Sequence, residues 1–456
     1  MYRKQDLKFL QDIFDRSSND IAILYGKRDN GLDGLVTDLC KDKESLYYMA
    51  AEVSDKLQKE LFAGELHEQT RAPIFPDDDY EKLIDSYINN GSGKKKLIVF
   101  DDFHHLINTN PTFINFLSNL LFEKIAPGNA MFLLVSDDVN WTERDMVRLI
   151  GRKSSEISGV LKLGGYTPTQ FREEFPDIPL REIIGIYSVI CGKSSYYDMI
   201  GSETTLHDLL IDILAIWTEP QSDRNMFLPR QIREPLLYNT ILECIAKGIN
   251  KLGDIHEATG VDRAKLSVYI KTLIDNDLIA KAVSAKVGND ANTRKGMYIF
   301  KDRLALFYYR FVFPNASSLR LLGPDRFYKK FVERGINAFI DEYYPVFCME
   351  QIRWLRDNGR LNFKVAQIEE YYDKNDAIDF VIVAVGGSVI ACSCSYQAPH
   401  MSFKQYEEVK ATVRRNRIPC DNIWLFSAGG FDQKLTLTGS VTPGVNLIEG
   451  TDQRLR

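Results

Sequence analysis

Five short apolar runs in the first 160 residues alternate with stretches of helical period, and this alternation constrains the fold more than any other feature. The runs are IAILY (21–25), SLYYMA (45–50), LIVF (97–100), MFLLV (131–135) and VLKL (160–163). Strands buried on both faces read as continuous apolar runs, and strands joined through helices run parallel. Between the third and fourth runs, FINFLSNLLFEK (113–124) carries a helical spacing of apolar positions. The expected class is α/β with a parallel sheet. From Thr167 to about Trp217 the pattern turns wholly helical.

The first run ends in GKRDNGLDG (26–34). A Gly, four residues and a second Gly are the spacing of a phosphate-binding loop, in which Lys and then Ser or Thr follow. The Lys reaches the β and γ phosphates, and the hydroxyl holds Mg²⁺. Here Leu32 and Asp33 occupy those two positions. Leu32 brings no charge, and Asp33 places a carboxylate in the first turn of a helix, where it suits the helix dipole when no phosphate is bound. The third run continues into Asp101 and Asp102 (LIVFDD, 97–102). In P-loop proteins one acid at this place binds Mg²⁺ and the next polarises the attacking water. A Gly-rich turn or a strand ending in two acids is common by chance; the two in series are not. The candidate nucleotide-binding residues are therefore Gly26, Gly31, Leu32 and Asp33. Asp101 and Asp102 are the remnant acids, with Asp101 a weak metal candidate. His104 and His105 follow, but adjacent helical residues point apart and make a poor joint ligand pair.

A second unit spans about 228–315. Helices are expected at 238–246, 252–258 and 263–275, with a short GVD turn before the last, and two strands at 279–287 and 296–300 flank the polar loop NDANTRK. This is the pattern of a helix-turn-helix with a wing. Residues 247–303 hold eleven Lys or Arg and seven Asp or Glu in a chain of net charge −6. Arg263, Lys265 and Lys271 fall on the third helix, and Lys286, Arg294 and Lys295 in or beside the wing. Tyr308, Tyr309 and Phe311 read as interface core. A third unit is mixed α/β, with a helical stretch at 327–355, strands at 378–385, 388–394 and 422–426, and a helix at 403–415.

In this order the motifs resemble those of the archaeal-type P-loop ATPases of the STAND class (signal-transduction ATPases with numerous domains). ILYGKRDNGLD (23–33) is similar to their ILYGRRRVGKT-like opening, and VFDDFHHL (99–106) to IDEFQYL. IYSVICGKSSYY (186–197) is similar to a VGGxPxYL element after the lid, with Cys191 and Ser194 in place of Gly and Pro. IREPLLYN onward from 232, and FKDRLALFYYRFVFPN (300–315), resemble the family's winged helix and its DPFLRFWYRFV segment. DAIDFVIVAVGGSVIACSCSY (376–396) resembles its EIDIVA…ECKW pattern, the core of a PD-(D/E)xK nuclease. There two acids hold a divalent metal and a Lys positions or activates water. Only Asp379 matches; Ala377 stands at an acid's place, Ser393 at the metal-binding Glu, Ser395 at the Lys and Cys348 at an upstream helical Glu, with Glu350 two residues on.

The resemblance implies three domains: a P-loop ATPase-like domain with a helical lid (1–225), a winged helix (226–320) and a restriction-endonuclease-like domain (321–456). With both sites degenerate, the expected function is a non-catalytic DNA- or protein-binding scaffold or regulator. The alternative is an ATP-binding STAND switch whose nucleotide state controls DNA or partner binding. ATP and Mg²⁺ are expected to bind weakly or not at all. The expected partners are double-stranded DNA or another protein, and the oligomeric state is open. The opening MYRKQDLKFLQDIF has charges throughout, and no run reaches eighteen apolar residues. The seven cysteines form no zinc pattern. A cytoplasmic protein without a membrane span is the expectation.

Overall fold

The computed structural model describes residues 3–71, 79–89, 93–219, 225–228, 232, 234–282, 297–372, 376–396 and 400–449. It divides into two compact units. The first runs to Gly165 and includes Lys193–Ser195; the second comprises Tyr166–Gly192 and the chain from Tyr196 onward.

The first unit is built on β1 (Asp20–Gly26), β2 (Glu44–Met49), β3 (Lys96–Asp101), β4 (Ala130–Ser136) and β5 (Ile157–Leu163). All pairings are parallel, in the order β2-β3-β4-β1-β5. The five apolar runs are these strands. Alternate side chains enter opposite cores, as a period of two requires. Ile21, Ile23, Ile98, Phe100, Phe132 and Leu134 pack on one face. Ala22, Leu24, Leu97, Val99, Leu133 and Val135 pack on the other. Because the strands are parallel, the loops after β1, β3 and β4 all leave from one edge of the sheet. The fold is that of a P-loop NTPase.

In the second unit, helices Pro235–Ala246, Leu252–Thr259 and Arg263–Asp275 precede an antiparallel ribbon of β6 (Ile279–Lys281) and β7 (Tyr298–Phe300). Tyr308, Tyr309 and Phe311 are buried, as expected of core. A second five-stranded sheet follows, ordered β12-β11-β10-β9-β8. Its strands are β8 (Val365–Tyr372), β9 (Ala377–Ala384), β10 (Val389–Ser395), β11 (Cys420–Ser427) and β12 (Val445–Glu449). β8–β9 and β9–β10 are antiparallel; β10–β11 and β11–β12 are parallel. Helix Phe403–Arg415 makes the crossover between β10 and β11. This is a second α/β fold.

Arg303 is a buried cation in this unit. Its guanidinium donates to Ser188 O (3.3 Å) and Phe339 O (2.6 Å), carbonyls in the last turns of helices Leu180–Ile190 and Glu333–Asp341. A cation at two helix C-termini satisfies groups that the helices cannot satisfy themselves, although burial pulls its pKa down to about 10.

Helix Leu180–Ile190 ends in two left-handed residues, Cys191 (φ 50°) and Gly192 (φ 69°). A Cβ on Gly192 would lie 2.3 Å from the carbonyl oxygen of Tyr166, a backbone atom that cannot swing aside. Gly192→Ala should therefore destabilise the protein by about 2–3 kcal/mol. Chemical denaturation of the variant beside the parent checks this.

Candidate functional site

Three loops meet at the C-terminal edge of the first sheet. After β1 the chain makes a short 3₁₀ turn, Arg28–Asn30, and Gly31 (φ 87°) leads into helix Leu32–Cys40. The turn closes through Asn30 N–H to Lys27 O (3.0 Å) and Gly31 N–H to Arg28 O (2.9 Å). Those two amides, which a phosphate loop would present to its ligand, are spent on the loop itself. Leu32, at the Lys position, is fully buried in the helix-side core. Asp33 is largely exposed and forms an ion pair with Arg28.

Arg28, to which the motif assigns no role, organises the site. Its Nη1 and Nη2 donate to Oδ2 and Oδ1 of Asp101, both at 3.2 Å, in a two-pronged pair. Nη2 also lies 2.8 Å from Asp102 Oδ1, and Nε lies 3.3 Å from Asp137 Oδ2. Asp101, Asp102 and Asp137 come from the ends of β3 and β4, which are neighbours in the sheet. Four carboxylates thus share one guanidinium. Burial disfavours its charge, yet Asp101, Asp102 and Asp33 together hold its pKa above the ordinary arginine value.

Asp101 is buried and further engaged by Tyr47 Oη (2.5 Å) and by the N–H of Asp102 (2.8 Å). Burial and that carboxylate push the Tyr47 phenol up. Asp102 adopts a left-handed backbone, φ 49°, a conformation that non-Gly residues hold only when their surroundings impose it. Burial, then the charge of Asp137, drives its carboxyl up to about 6 against the opposing pull of Arg28. His104 is buried, with Nδ1 3.2 Å from Ser136 Oγ and its ring against His105 and Trp141. Burial lowers its pKa. On the far side of the loop Lys193 pairs with Asp29, and Ser194 Oγ lies 2.3 Å from where a Gly31 Cβ would stand. Sequence reasoning missed Arg28, Tyr47, Asp137 and Lys193. Strand order was the signal for Asp137, since the residue after β4 must sit beside the residue after β3.

A phosphate-loop Mg²⁺ requires a hydroxyl at position 33 and a free acid at 101. Neither condition is met by these residues, because Asp33 and Asp101 are both bound to Arg28.

The remaining candidates lie in the second unit. Arg263, Lys265 and Lys271 are exposed on helix Arg263–Asp275, with Lys265 3.7 Å from Glu234. Arg294, Lys295 and Lys286 fall outside the described residues. On β9, half-buried Asp379 accepts hydrogen bonds from Ser393 Oγ (3.1 Å) and Cys394 N–H (2.7 Å). Ser393, at the place of a metal-binding Glu, thus bonds directly to the acid that would share the metal. Ser395 and Cys348 are buried, Ala377 is exposed, and Glu350 is paired with Arg353.

A family model described as archaea bacterial proteins of unknown function (DUF234) matches residues 308–410. An uncharacterized protein of Methanocaldococcus jannaschii, MJECL04, is 23% identical over 384 residues, 83% of each chain. Among solved structures, the Walker-type ATPase PABY2304 of Pyrococcus abyssi aligns at 12% identity and TM-score 0.49, covering 68% of this chain and 95% of that one. The ORC2 protein of Aeropyrum pernix aligns at 14% and 0.43, covering 70% and 95%. A STAND protein with a tetratricopeptide repeat sensor from Pyrococcus horikoshii aligns at 15% and 0.30, covering 78% and 53%. Among the described residues no helix is long and apolar enough to cross a membrane.

Burial, and then the charge of Asp341, raises the carboxyl of Asp379 to about 6 against its two hydrogen bonds. A folded pKa above the unfolded value means that ionisation opposes folding, so this contribution improves as pH falls from about 6 towards 4. Asp379→Asn keeps an acceptor for Cys394 N–H and removes the charge. It should raise stability by about 1–3 kcal/mol at pH 7.5, and by little near pH 4. Paired thermal melts at the two pH values measure the difference. By its own strand order and the three loops at its edge, the first unit has the fold of a P-loop NTPase, and the chain's motifs resemble those of the archaeal-type STAND ATPases.

Proposed function

We propose that this protein is a non-hydrolysing member of the ATPase-like group, a scaffold or regulator that acts by binding DNA or a protein partner. The observation that carries the reading is Arg28 seated among Asp33, Asp101, Asp102 and Asp137. A triphosphate entering this loop meets four carboxylates, no Lys at position 32, and two loop amides already bonded. Exchanging a Lys for Leu and a hydroxyl for a carboxylate in a partly desolvated site weakens an anionic ligand by several kcal/mol. A fluorescent ATP analogue, with or without Mg²⁺, should show no saturable binding below about 1 mM, weaker than roughly −4 kcal/mol. The triple variant Arg28→Ala, Leu32→Lys, Asp33→Thr should acquire binding. Low-micromolar affinity in the parent, or turnover lost in Asp101→Asn, would contradict the reading.

The three helices and ribbon of the second unit are read as a winged helix, with helix Arg263–Asp275 as its DNA-facing element. Arg263, Ser267 and Lys271 recur every four residues on an exposed face beside Val268, which is 63% exposed. Two cations flanking small side chains suit phosphate contact on either side of a groove. The sheet around Asp379 is read as a nuclease scaffold that has lost its metal, since one carboxylate holds Mg²⁺ too weakly. Arg263→Glu and Lys271→Glu should each weaken duplex binding about equally for all sequences, and reduce the salt slope by about one. Unchanged binding at low salt in both variants would turn the reading towards a protein partner.

A further inference from the structure

We propose that Asp102, His104 and Asp137 form a site for a first-row transition-metal ion such as Zn²⁺, taken in competition with Arg28. This goes beyond the nucleotide reading and does not depend on it.

One ligand atom from each of the three residues lies within 4.8 Å of the other two. Ligand atoms sharing one ion at about 2.0–2.2 Å sit roughly 3–4 Å apart, so a closure of about 1 Å completes the set. The positions are held from different directions. Asp102 is turned inward by its left-handed backbone at the end of β3. Asp137 follows β4, the neighbouring strand, and His104 opens the helix after Asp102. His104 is 6% exposed, and Ser136 Oγ at 3.2 Å from Nδ1 gives its ring the polar neighbour that orients metal-binding imidazoles. An imidazole with two carboxylates selects transition ions over Mg²⁺, which prefers oxygen alone.

The local charge favours a second cation. Four carboxylates surround the single guanidinium of Arg28, whose Nη2 and Nε already bridge Asp102 and Asp137. The guanidinium thus holds the place that the ion would take. On metal binding it retains its two-pronged pair with Asp101 and its contact with Asp33. The site differs from the phosphate-loop Mg²⁺ site, because it uses neither Asp101 nor position 33.

The test uses the full chain, stripped by chelator and titrated with Co²⁺, whose visible absorption reports coordination, followed by displacement with Zn²⁺. The expected result is one equivalent bound. Asp137→Asn and His104→Gln should each weaken binding at least about tenfold, and Arg28→Ala should tighten it. Asp137 is 41% exposed, so folding of that variant is not at stake; a far-UV melt verifies His104→Gln. Absence of Co²⁺ absorption overturns the proposal, as does binding unaltered by either ligand variant. Unchanged affinity in Arg28→Ala overturns the competition.

Discussion

The paired hydrogen bonds between Arg28 and Asp101 are the contact on which the first unit's functional edge depends. Asp101 ends a central strand and is buried, so its charge needs a partner close by. Removing one member of such a pair leaves an uncompensated buried charge, at about 3–5 kcal/mol. The guanidinium must therefore turn inward, and the 3₁₀ turn that directs it there spends the loop's amides on itself. The conformation of the loop, the engagement of Asp33 and the crowding of Asp102 and Asp137 follow from that one placement.

Much of the fold was legible in the residues. The five apolar runs are β1 to β5, and helices Arg263–Asp275 and Phe403–Arg415 have the expected bounds, because each has a strong period and a clear cap. β8 was not legible. VAQIEEYY carries two adjacent acids, both half-buried, so it offers neither an apolar run nor a strict alternation. The short β12 hid for lack of length. At the site, the glycine-spaced loop after β1 and the two acids at the end of β3 lie at one edge of the sheet. Arg28 did not stand out because the motif leaves the residues between its glycines free. Which of them faces inward is decided by a turn that no period encodes.

The acids of the two candidate sites are engaged in different physical ways. Around Asp379 a serine hydroxyl and a backbone amide satisfy the acid directly, and burial raises its pKa. Around Asp101 the acids have been kept and a cation supplied from the chain. The first needs no ion. The second still concentrates negative charge, and that difference is why only the ATPase-like edge carries a case for a metal.

A nucleotide occupies its site for a time set by its concentration, its release and its hydrolysis. An arginine attached to the loop has none of these. Its local concentration is fixed by a tether of a few bonds, and it cannot be diluted, exchanged or cleaved. On the non-hydrolysing reading proposed above, the packing of Asp101, Asp102 and Tyr47 around Arg28 is insensitive to the ratio of ATP to ADP around it.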